Sequence, residues 1–266
     1  MEKNNDIIDF GIIGGTGVYD SSMMKNVHEI NIETPFGHPS DKIVVGSYLN
    51  KSIAFLPRHG KSHQYPPHKV PYKANIWAFK KLGVQRIIAP SAVGSLNEKL
   101  SLGSIVLPDQ FIDLSKNRDY TFYDDQAVHV SMAEPYCNDL RSNAIKTAKN
   151  LGIEIKDSGT YVSIEGPRFS TRAESLFYKE VMKGDIIGMT AIPEVILARE
   201  MEICYMTLAT VTDYDAWQTK HVSADMVSST MKKSIEKTKT FILKVIENTP
   251  KERECKCMHS LENAKL

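Results

Sequence analysis

Apolar and polar residues alternate along this chain with two different periods. Short apolar runs, which are typical of buried strands, lie at 7–13, 43–49, 52–56, 86–93, 160–164 and 203–210. Segments with apolar residues three and four positions apart, which predict helices, lie at 72–82, 138–151, 172–182, 193–201 and from about 223 to just before 250. Strands that alternate with helices over the whole length predict an α/β fold.

No linker rich in proline, glycine or serine interrupts this alternation. We therefore expect a single domain over 1–266, a length that supports a well-buried core. Residues 50–51 are expected to form the turn of a strand pair. Residues 1–6 and about 250–266 are expected to be peripheral tails, the second of them polar and loosely held.

The charges of the chain nearly cancel, because 33 basic residues stand against 32 acidic ones and leave a net charge of +1. No basic surface is therefore expected for nucleic acid or anionic lipid, so the expected partner is a small molecule. The N-terminus lacks a signal-peptide pattern, and no apolar run is long enough to span a bilayer. We expect a cytoplasmic protein with neither a membrane nor a nucleic acid as partner.

The cysteines are too few for a secreted disulfide scaffold of this size; they are Cys137, Cys204, Cys255 and Cys257. The last two form a C-x-C near His259, which is a poor zinc set without two further close ligands. The open alternatives are incidental free thiols, a small strained ring within the C-x-C, and a disulfide between Cys137 and Cys204 if the fold brings them together.

A glycine-rich segment, G-I-I-G-G-T-G at 11–17, follows the first predicted strand. Its glycines let backbone amides turn toward an anion, and Thr16 adds a hydroxyl donor. Two more strand ends carry suitable groups, Arg58 and His59 in L-P-R-H-G and Ser91 in P-S-A-V-G-S. Arginine can grip oxygens with two N–H groups, and strand ends meet in a ligand crevice. Each segment alone is compatible with an ordinary turn, but together they predict an oxyanion site for phosphate.

The segment T-V-T-D-Y-D-A-W at 210–217 places two carboxylates, Asp213 and Asp215, after an apolar run. On a strand end, their side chains would point to the same side. Two acids held close do not both ionise easily, so one donates a proton while the other accepts. Such a pair suits the edge of adenine, where an amine adjoins a ring nitrogen. A polar strand end and a metal-holding carboxylate pair are the alternatives.

Eight motifs between Gly14 and about Val227 resemble those of the 5'-methylthioadenosine phosphorylases. They are G-G-T-G, T-P-F-G-x-P-S, R-H-G, A-N-I-W-A, M-A-E-P, I-E-G-P-R-F-S, M-T-x-x-P-E and T-D-Y-D-x-W. The resemblance covers most of the chain and implies the purine nucleoside phosphorylase fold. That fold is a single α/β domain with a twisted mixed β-sheet flanked by helices, assembled as a homotrimer or homohexamer.

The resemblance also implies which residues bind each substrate. The implied phosphate contacts are Thr16, Arg58, His59, Ser91, Ala92 and Thr190. The implied nucleoside contacts are Met189 beneath the ribose, Phe169 and Ser170 beside the base, and Asp213 and Asp215 at its amino edge.

The 5' end of the nucleoside would lie in a pocket shared between subunits. His129 would cover the substrate of a neighbouring subunit, and Ala224 and Val227 would supply apolar contacts. Ala224 stands where the family pattern suggests valine, so the pocket would be roomier. Ser91 stands in place of threonine and keeps the hydroxyl.

The implied reaction is the phosphate-dependent cleavage of methylthioadenosine. Arg58 and His59 would hold phosphate under the sugar, and Asp213 would share a proton with the leaving purine. Phosphate is then a co-substrate, and neither a cofactor nor a metal is expected. Three alternatives remain: a 6-oxopurine nucleoside phosphorylase, a non-catalytic nucleotide-binding module, and a metal-dependent sugar transferase.

Overall fold

A computed structural model describes residues 7–15, 17, 24–218 and 222–265 of the chain. The strands are β1 (Ile8–Gly14), β2 (Lys25–Ile30), β3 (Ile43–Tyr48), β4 (Lys51–Pro57), β5 (Val84–Ser95), β6 (Ile105–Val106), β7 (Gln110–Leu114), β8 (Ile155–Lys156), β9 (Thr160–Ile164), β10 (Ile186–Gly188) and β11 (Cys204–Asp213). The α-helices are α1 (Tyr72–Lys81), α2 (Asn138–Leu151), α3 (Arg172–Leu176), α4 (Ala191–Glu200) and α5 (Ala224–Asn248). Short 3₁₀ helices lie at Pro67–Lys69, Asp215–Trp217 and Lys256–His259.

The strands form one mixed sheet with β5 at its centre. The order along the sheet is β2-β3-β4-β1-β5-β10-β9-β7, and β11 joins β5 to β6 and β8. β4, β1, β5 and β11 run parallel to one another, whereas β10 pairs antiparallel with the carboxyl end of β5. This architecture confirms the predicted single α/β domain with a mixed sheet flanked by helices.

Helices cover both faces of the sheet. On one face, α1 and α4 bury residues such as Phe79 and Val195 against β1, β4 and β5. On the other face, α2 and α5 bury residues such as Leu140 and Phe241 against β1, β5 and β11. Within the described ranges, no helix has the length and apolar character that crossing a membrane requires.

Local sequence signals set most helix ends correctly. The Ser223 hydroxyl accepts a hydrogen bond from Met226 N at 3.2 Å and so caps α5 as predicted. Gly83 and Gly152 follow α1 and α2 with φ of 73° and 64°, a conformation in which glycine ends helices at little cost. The predicted helix at 172–182 is less regular, because α3 continues as a π-helical turn at Phe177–Val181. Lys51 belongs to β4 and not to the predicted turn.

The expectation of a loosely held C-terminal tail is wrong. Cys255 and Cys257 lie in the core beside α2, β11 and α5. The buried Arg86 donates from Nη2 to the carbonyl oxygens of residues 250, 251 and 252 at 3.0, 3.1 and 2.8 Å. The backbone of Ala264 accepts a hydrogen bond from His129 N at 2.7 Å. These contacts fix a segment whose polar sequence carries no periodic signal.

Candidate functional site

The glycine loop, Arg58 and the middle of β5 lie side by side at one edge of the sheet. Gly14 ends β1, and its carbonyl accepts a hydrogen bond from Arg58 N at 2.9 Å. The Arg58 guanidinium donates from Nη2 to Ile13 O at 2.8 Å and from Nη1 to Pro90 O at 3.1 Å. One side chain therefore links the ends of β1 and β4 to β5.

Arg58 forms a buried ion pair with Glu194 of α4. Nε and Nη2 donate to the two carboxylate oxygens at 2.5 and 2.9 Å, and the side chains are 3% and 0% exposed. Burial opposes the charge of Arg58, but the Glu194 carboxylate raises the pKa of the guanidinium overall. The pair of hydrogen bonds that Arg58 was expected to donate to an external anion is therefore donated to Glu194. Among the described contacts, a single Nη1 hydrogen remains for a ligand.

His59 lies next to Arg58 as a neutral imidazole. Its Nδ1 is 2.8 Å from the Tyr65 carbonyl oxygen, so Nδ1 carries the hydrogen and donates it. Burial and then the charge of Arg58 lower the pKa of His59 to about 4. At neutral pH, Nε2 is therefore an acceptor that suits a protonated phosphate oxygen.

Two hydroxyls adjoin this edge. Ser91 Oγ lies 3.5 Å from Thr190 Oγ1, and both residues are buried. Thr190 directly precedes α4, but its hydroxyl makes no capping hydrogen bond to the helix. Ala92 follows Ser91 on β5 and is half-buried, while Thr16 lies outside the described residues. The edge thus presents backbone amides and hydroxyls, with little uncompensated positive charge.

The two aspartates lie at the carboxyl end of β11, but only one belongs to the strand. Asp213 is its last residue and pairs with Gly94 of β5 after a register shift. Asp215 begins a 3₁₀ helix with a left-handed φ of 49°, which Asp adopts more readily than most residues. The expectation that strand alternation aligns both side chains is wrong. A turn brings them together instead, and Asp215 N donates to Asp213 Oδ1 at 2.9 Å.

Both carboxyls are shielded from solvent, with Asp213 5% and Asp215 4% exposed. Burial raises the pKa of each, and the charge of Asp215 raises the pKa of Asp213 further. Asp213 Oδ2 accepts a hydrogen bond from the Thr212 hydroxyl at 2.9 Å. Asp215 Oδ2 is buried and has no hydrogen-bond partner in the described part of the chain. The hydroxyls of Ser175 and Ser170 lie near this carboxyl and lower its pKa against the effect of burial, so the site holds both donors and acceptors around Asp215.

Gly94 allows this pair to approach β5 closely. A Cβ at Gly94 would lie 2.8 Å from Asp213 Oδ1, which is closer than real Cβ contacts come. The indole Nε1 of Trp217 donates to Ser95 O at 2.7 Å and fixes the following turn on the same strand. β5 therefore carries Ser91 beside the glycine loop and Gly94 beside the carboxylates.

Phe169, Ser170 and Met189 lie on segments that follow β9 and β10. Ser170 lies near Asp215 and, after Ser175, partly offsets the rise in its pKa. Phe169 is 39% exposed, so part of its ring faces solvent. Met189 packs against Gly166, where a Cβ would lie 2.4 Å from Met189 Sδ.

Arg118 and Glu194 position the site, although neither is predicted from the sequence to be a site residue. The buried Arg118 donates to Met189 O at 2.8 Å, to Glu165 O at 2.7 Å and also to Ile192 O. It thereby ties the segment after β9 to the one after β10. Glu194 carries a sequence signal, because a carboxylate inside A-I-P-E-V-I-L-A must be paired when buried. Arg118 lies in a polar stretch without such a signal.

The residues expected at the 5' end are exposed or half-buried. His129 is exposed, and its backbone is held by the C-terminal segment. Ala224 is exposed and Val227 half-buried on the first turn of α5. The glycine loop approaches the same helix, since a Cβ at Gly17 would lie 2.2 Å from Ile235 Cδ1. The roles of all three residues stay predictions.

A second cluster of chemically active side chains lies away from this edge. Its four sulfurs all lie within 4.8 Å of one another, and they belong to the buried free thiols of Cys137, Cys204, Cys255 and Cys257. The fold therefore brings two further sulfurs close to the C-x-C, which is the condition for a zinc set that the sequence alone left open. His259 is not a member, because its Nδ1 pairs with Glu262 at 2.6 Å.

Comparison with known proteins places this geometry in a family. The profile of the Phosphorylase superfamily matches residues 9–247. The S-methyl-5'-thioadenosine phosphorylase of Nitrosopumilus maritimus is 52% identical over an alignment of 267 positions that covers 100% of each chain. That of Hyperthermus butylicus is 54% identical over 97% of this chain and 96% of its own.

A solved structure shows the same fold. Methylthioadenosine phosphorylase from Schistosoma mansoni, in complex with adenine, superimposes with a TM-score of 0.92 and 37% identity. The match covers 97% of this chain and 99% of that one. The chain therefore belongs to the phosphorylase superfamily, within its family of S-methyl-5'-thioadenosine phosphorylases.

Proposed function

We propose that this chain cleaves 5'-methylthioadenosine with phosphate to give adenine and 5-methylthioribose 1-phosphate. The observation that carries the choice of base is the pair of buried carboxyls, Asp213 and Asp215, at the carboxyl end of β11. The 6-amino group of adenine would donate to a carboxylate oxygen of this pair, whereas the O6 of a 6-oxopurine would face it with lone pairs. An unmet hydrogen bond in a buried site costs about 1–3 kcal/mol, so the arrangement disfavours 6-oxopurines.

Phosphate would bind at the edge formed by the glycine loop, Ser91 and Thr190. The single remaining N–H of Arg58 would donate to one oxygen, and the neutral His59 would accept from a protonated one. Held beneath C1', phosphate acts as a nucleophile already in position, which removes part of the entropic barrier. The new C1'–O bond forms on the face opposite the breaking C1'–N9 bond, so the configuration at C1' inverts.

The purine leaves with the electrons of the C1'–N9 bond and must be neutralised. Asp213 would share a proton with N7 as this charge develops, and its raised pKa favours the protonated form that this requires. The proton moves toward N7 while the negative charge of the purine moves to the carboxylate. Phosphate is the co-substrate, and this reaction uses no other cofactor.

Product analysis with methylthioadenosine, adenosine and inosine, each with and without phosphate, tests this function. We expect adenine release only when phosphate is present, and the pentose product as its 1-phosphate. Methylthioadenosine should exceed adenosine by roughly ten- to thirtyfold in kcat/KM, because its 5' group avoids desolvation of a hydroxyl. Phosphate-independent adenine release, or preference for inosine, would overturn the proposal.

Gly15 offers a selective test of the anion site. Among the described residues other than its chain neighbours, none has an atom within 4 Å of a Cβ at Gly15, so Gly15→Ala should fold with an unchanged thermal midpoint. We expect the added methyl to raise KM for phosphate about tenfold, roughly the worth of one hydrogen bond. KM for methylthioadenosine is the internal control and should change little. An unchanged KM for phosphate would place the anion elsewhere.

A homotrimer or homohexamer and a cytoplasmic location are the finer parts of this proposal. The support for a shared site is that His129 is exposed while its backbone is held in place. Such a side chain is available to a neighbouring subunit. Sedimentation of the active enzyme measures the assembly, and a fully active monomer would contradict the shared 5' pocket.

A further inference from the structure

We propose that Cys137, Cys204, Cys255 and Cys257 bind one structural zinc ion. Cys137 immediately precedes α2, Cys204 begins β11, and the C-x-C pair begins the final 3₁₀ helix. Four sulfurs from three segments that are distant in sequence therefore lie close together in the interior. The cluster lies outside the proposed phosphorolysis site and goes beyond that function.

The spacing of the sulfurs suits a single tetrahedral ion. With Zn–S bonds of about 2.3 Å, the sulfurs of a tetrahedral site lie about 3.8 Å apart. Here Cys204 Sγ and Cys255 Sγ are 3.2 Å apart, and every other pair lies within 4.8 Å. A four-thiolate set of this shape is typical of zinc in structural sites. An iron–sulfur cluster would have to fit its inorganic core between these same sulfurs, for which the spacing leaves no room.

The charges around the cluster give independent support. Arg199 and Arg253 donate from Nη1 to Cys257 Sγ at 3.7 Å and to Cys204 Sγ at 4.0 Å. Their other described acceptors are backbone carbonyls, as are most of those of Arg86 nearby. In the described ranges, none of these three arginines forms an ion pair with a carboxylate.

Neutral thiols or disulfides would leave the buried charge of Arg86 without a buried partner, which is costly, whereas the half-buried Arg199 and Arg253 keep part of their contact with water. Zinc bound by four thiols releases four protons and leaves a complex with a net charge of −2. That charge would balance most of the three arginines. N–H groups that point at the sulfurs, including Leu140 N at 3.5 Å from Cys137 Sγ, are the outer contacts that metal thiolates use.

The first test is the metal content and thiol count of the full-length protein. Elemental analysis after expression with zinc should give about one zinc per chain. Denaturation with a chelator and an alkylating agent, without reductant, should then label four thiols. Two disulfides with no zinc would overturn the proposal, and so would four free thiols in a protein that takes up no zinc on titration. Iron in place of zinc would overturn the assignment to zinc.

Variants show whether the four cysteines act as one set. We expect Cys257→Ser to lose the zinc, whereas the matched control His259→Ala should keep it. A disulfide between Cys137 and Cys204 would instead leave both protected from alkylation in the Cys255→Ser/Cys257→Ser protein. If a serine variant does not fold, wild-type apoprotein titrated with Co²⁺ decides. The intense visible bands of tetrahedral cobalt thiolate should saturate at one equivalent, and their absence would refute the site. None of these readouts depends on phosphorolysis.

Discussion

We expect Asp213→Asn to lower kcat/KM for methylthioadenosine by about 10²- to 10³-fold, the range for loss of a general acid. Asparagine preserves the shape and still accepts the 2.9 Å hydrogen bond from Asp215 N. It cannot transfer a proton to N7, but its amide can donate to the O6 of a 6-oxopurine. The ratio of adenosine to inosine activity should therefore fall about ten- to a hundredfold. An unchanged ratio would show that Asp213 does not read the base.

The pH profile distinguishes this role from a structural one. Burial raises the pKa of Asp213, so wild-type kcat/KM should fall as the pH rises through that pKa and the carboxyl loses its proton. Asp213→Asn should lack this alkaline decline. A raised folded-state pKa contributes stability below the unfolded pKa of about 3.9 and loses it as the pH rises. The asparagine variant should therefore be no less stable than wild type at neutral pH.

Asp215→Asn is the matched comparison. Its amide would turn a donor toward the 6-amino group, so we expect a higher KM for methylthioadenosine with a smaller loss of kcat. Equal losses of kcat in both variants would contradict the division of roles between the two carboxyls.

Removal of Glu194 should produce the largest loss of stability. We expect Glu194→Gln to lower the free energy of unfolding by about 3–5 kcal/mol, because it leaves the buried Arg58 charge without its partner. Tyr205 also donates to Glu194 Oε2 at 2.8 Å, so the carboxylate accepts three hydrogen bonds at this point. Denaturant unfolding at neutral pH measures the change.

Two further variants separate stability from catalysis. Tyr205→Phe removes one hydrogen bond but keeps the ion pair, so its loss should be about 1 kcal/mol. Arg58→Met/Glu194→Leu removes both charges and should recover much of the stability, as apolar replacements of buried pairs often do. It should not recover phosphorolysis, since Arg58 supplies a phosphate contact. A double variant as unstable as Glu194→Gln would show that packing, and not the unpaired charge, causes the loss.

The sequence predicts the larger elements well because their signals are local. α2 and β9 have the expected bounds. The bounds of a capped amphipathic helix and of an apolar strand follow from the residues of the element itself. β6 and β8 contain two residues each and have no period to detect. The turn at Asp215 is not predicted for a different reason. A positive φ in a non-glycine residue does not change the alternation of apolar and polar residues.

The site is harder to predict than the fold because its partners are distant in sequence. The types of residue at the strand ends are informative, since hydroxyls and glycines suit phosphate and paired carboxyls suit the amino edge of adenine. The apolar surroundings of Glu194 indicate that its carboxylate is paired, but they do not indicate that the partner is Arg58, which lies 136 residues away. Separation along the chain also hides the four-cysteine cluster, because any two of the cysteines alone supply too few ligands for a metal ion.

The continuity of β5 has a consequence for inhibitor design. Ser91 and Gly94 are three residues apart on this strand, or about 10 Å at the usual rise. β11 pairs with every residue from Ser91 to Gly94, and β10 also pairs with Gly94, so the sheet restrains this spacing. Compounds that lengthen the link between a purine mimic and an anionic group should therefore bind poorly. Substituents of an inhibitor are better varied at the 5' end, where the spacing along β5 sets no limit.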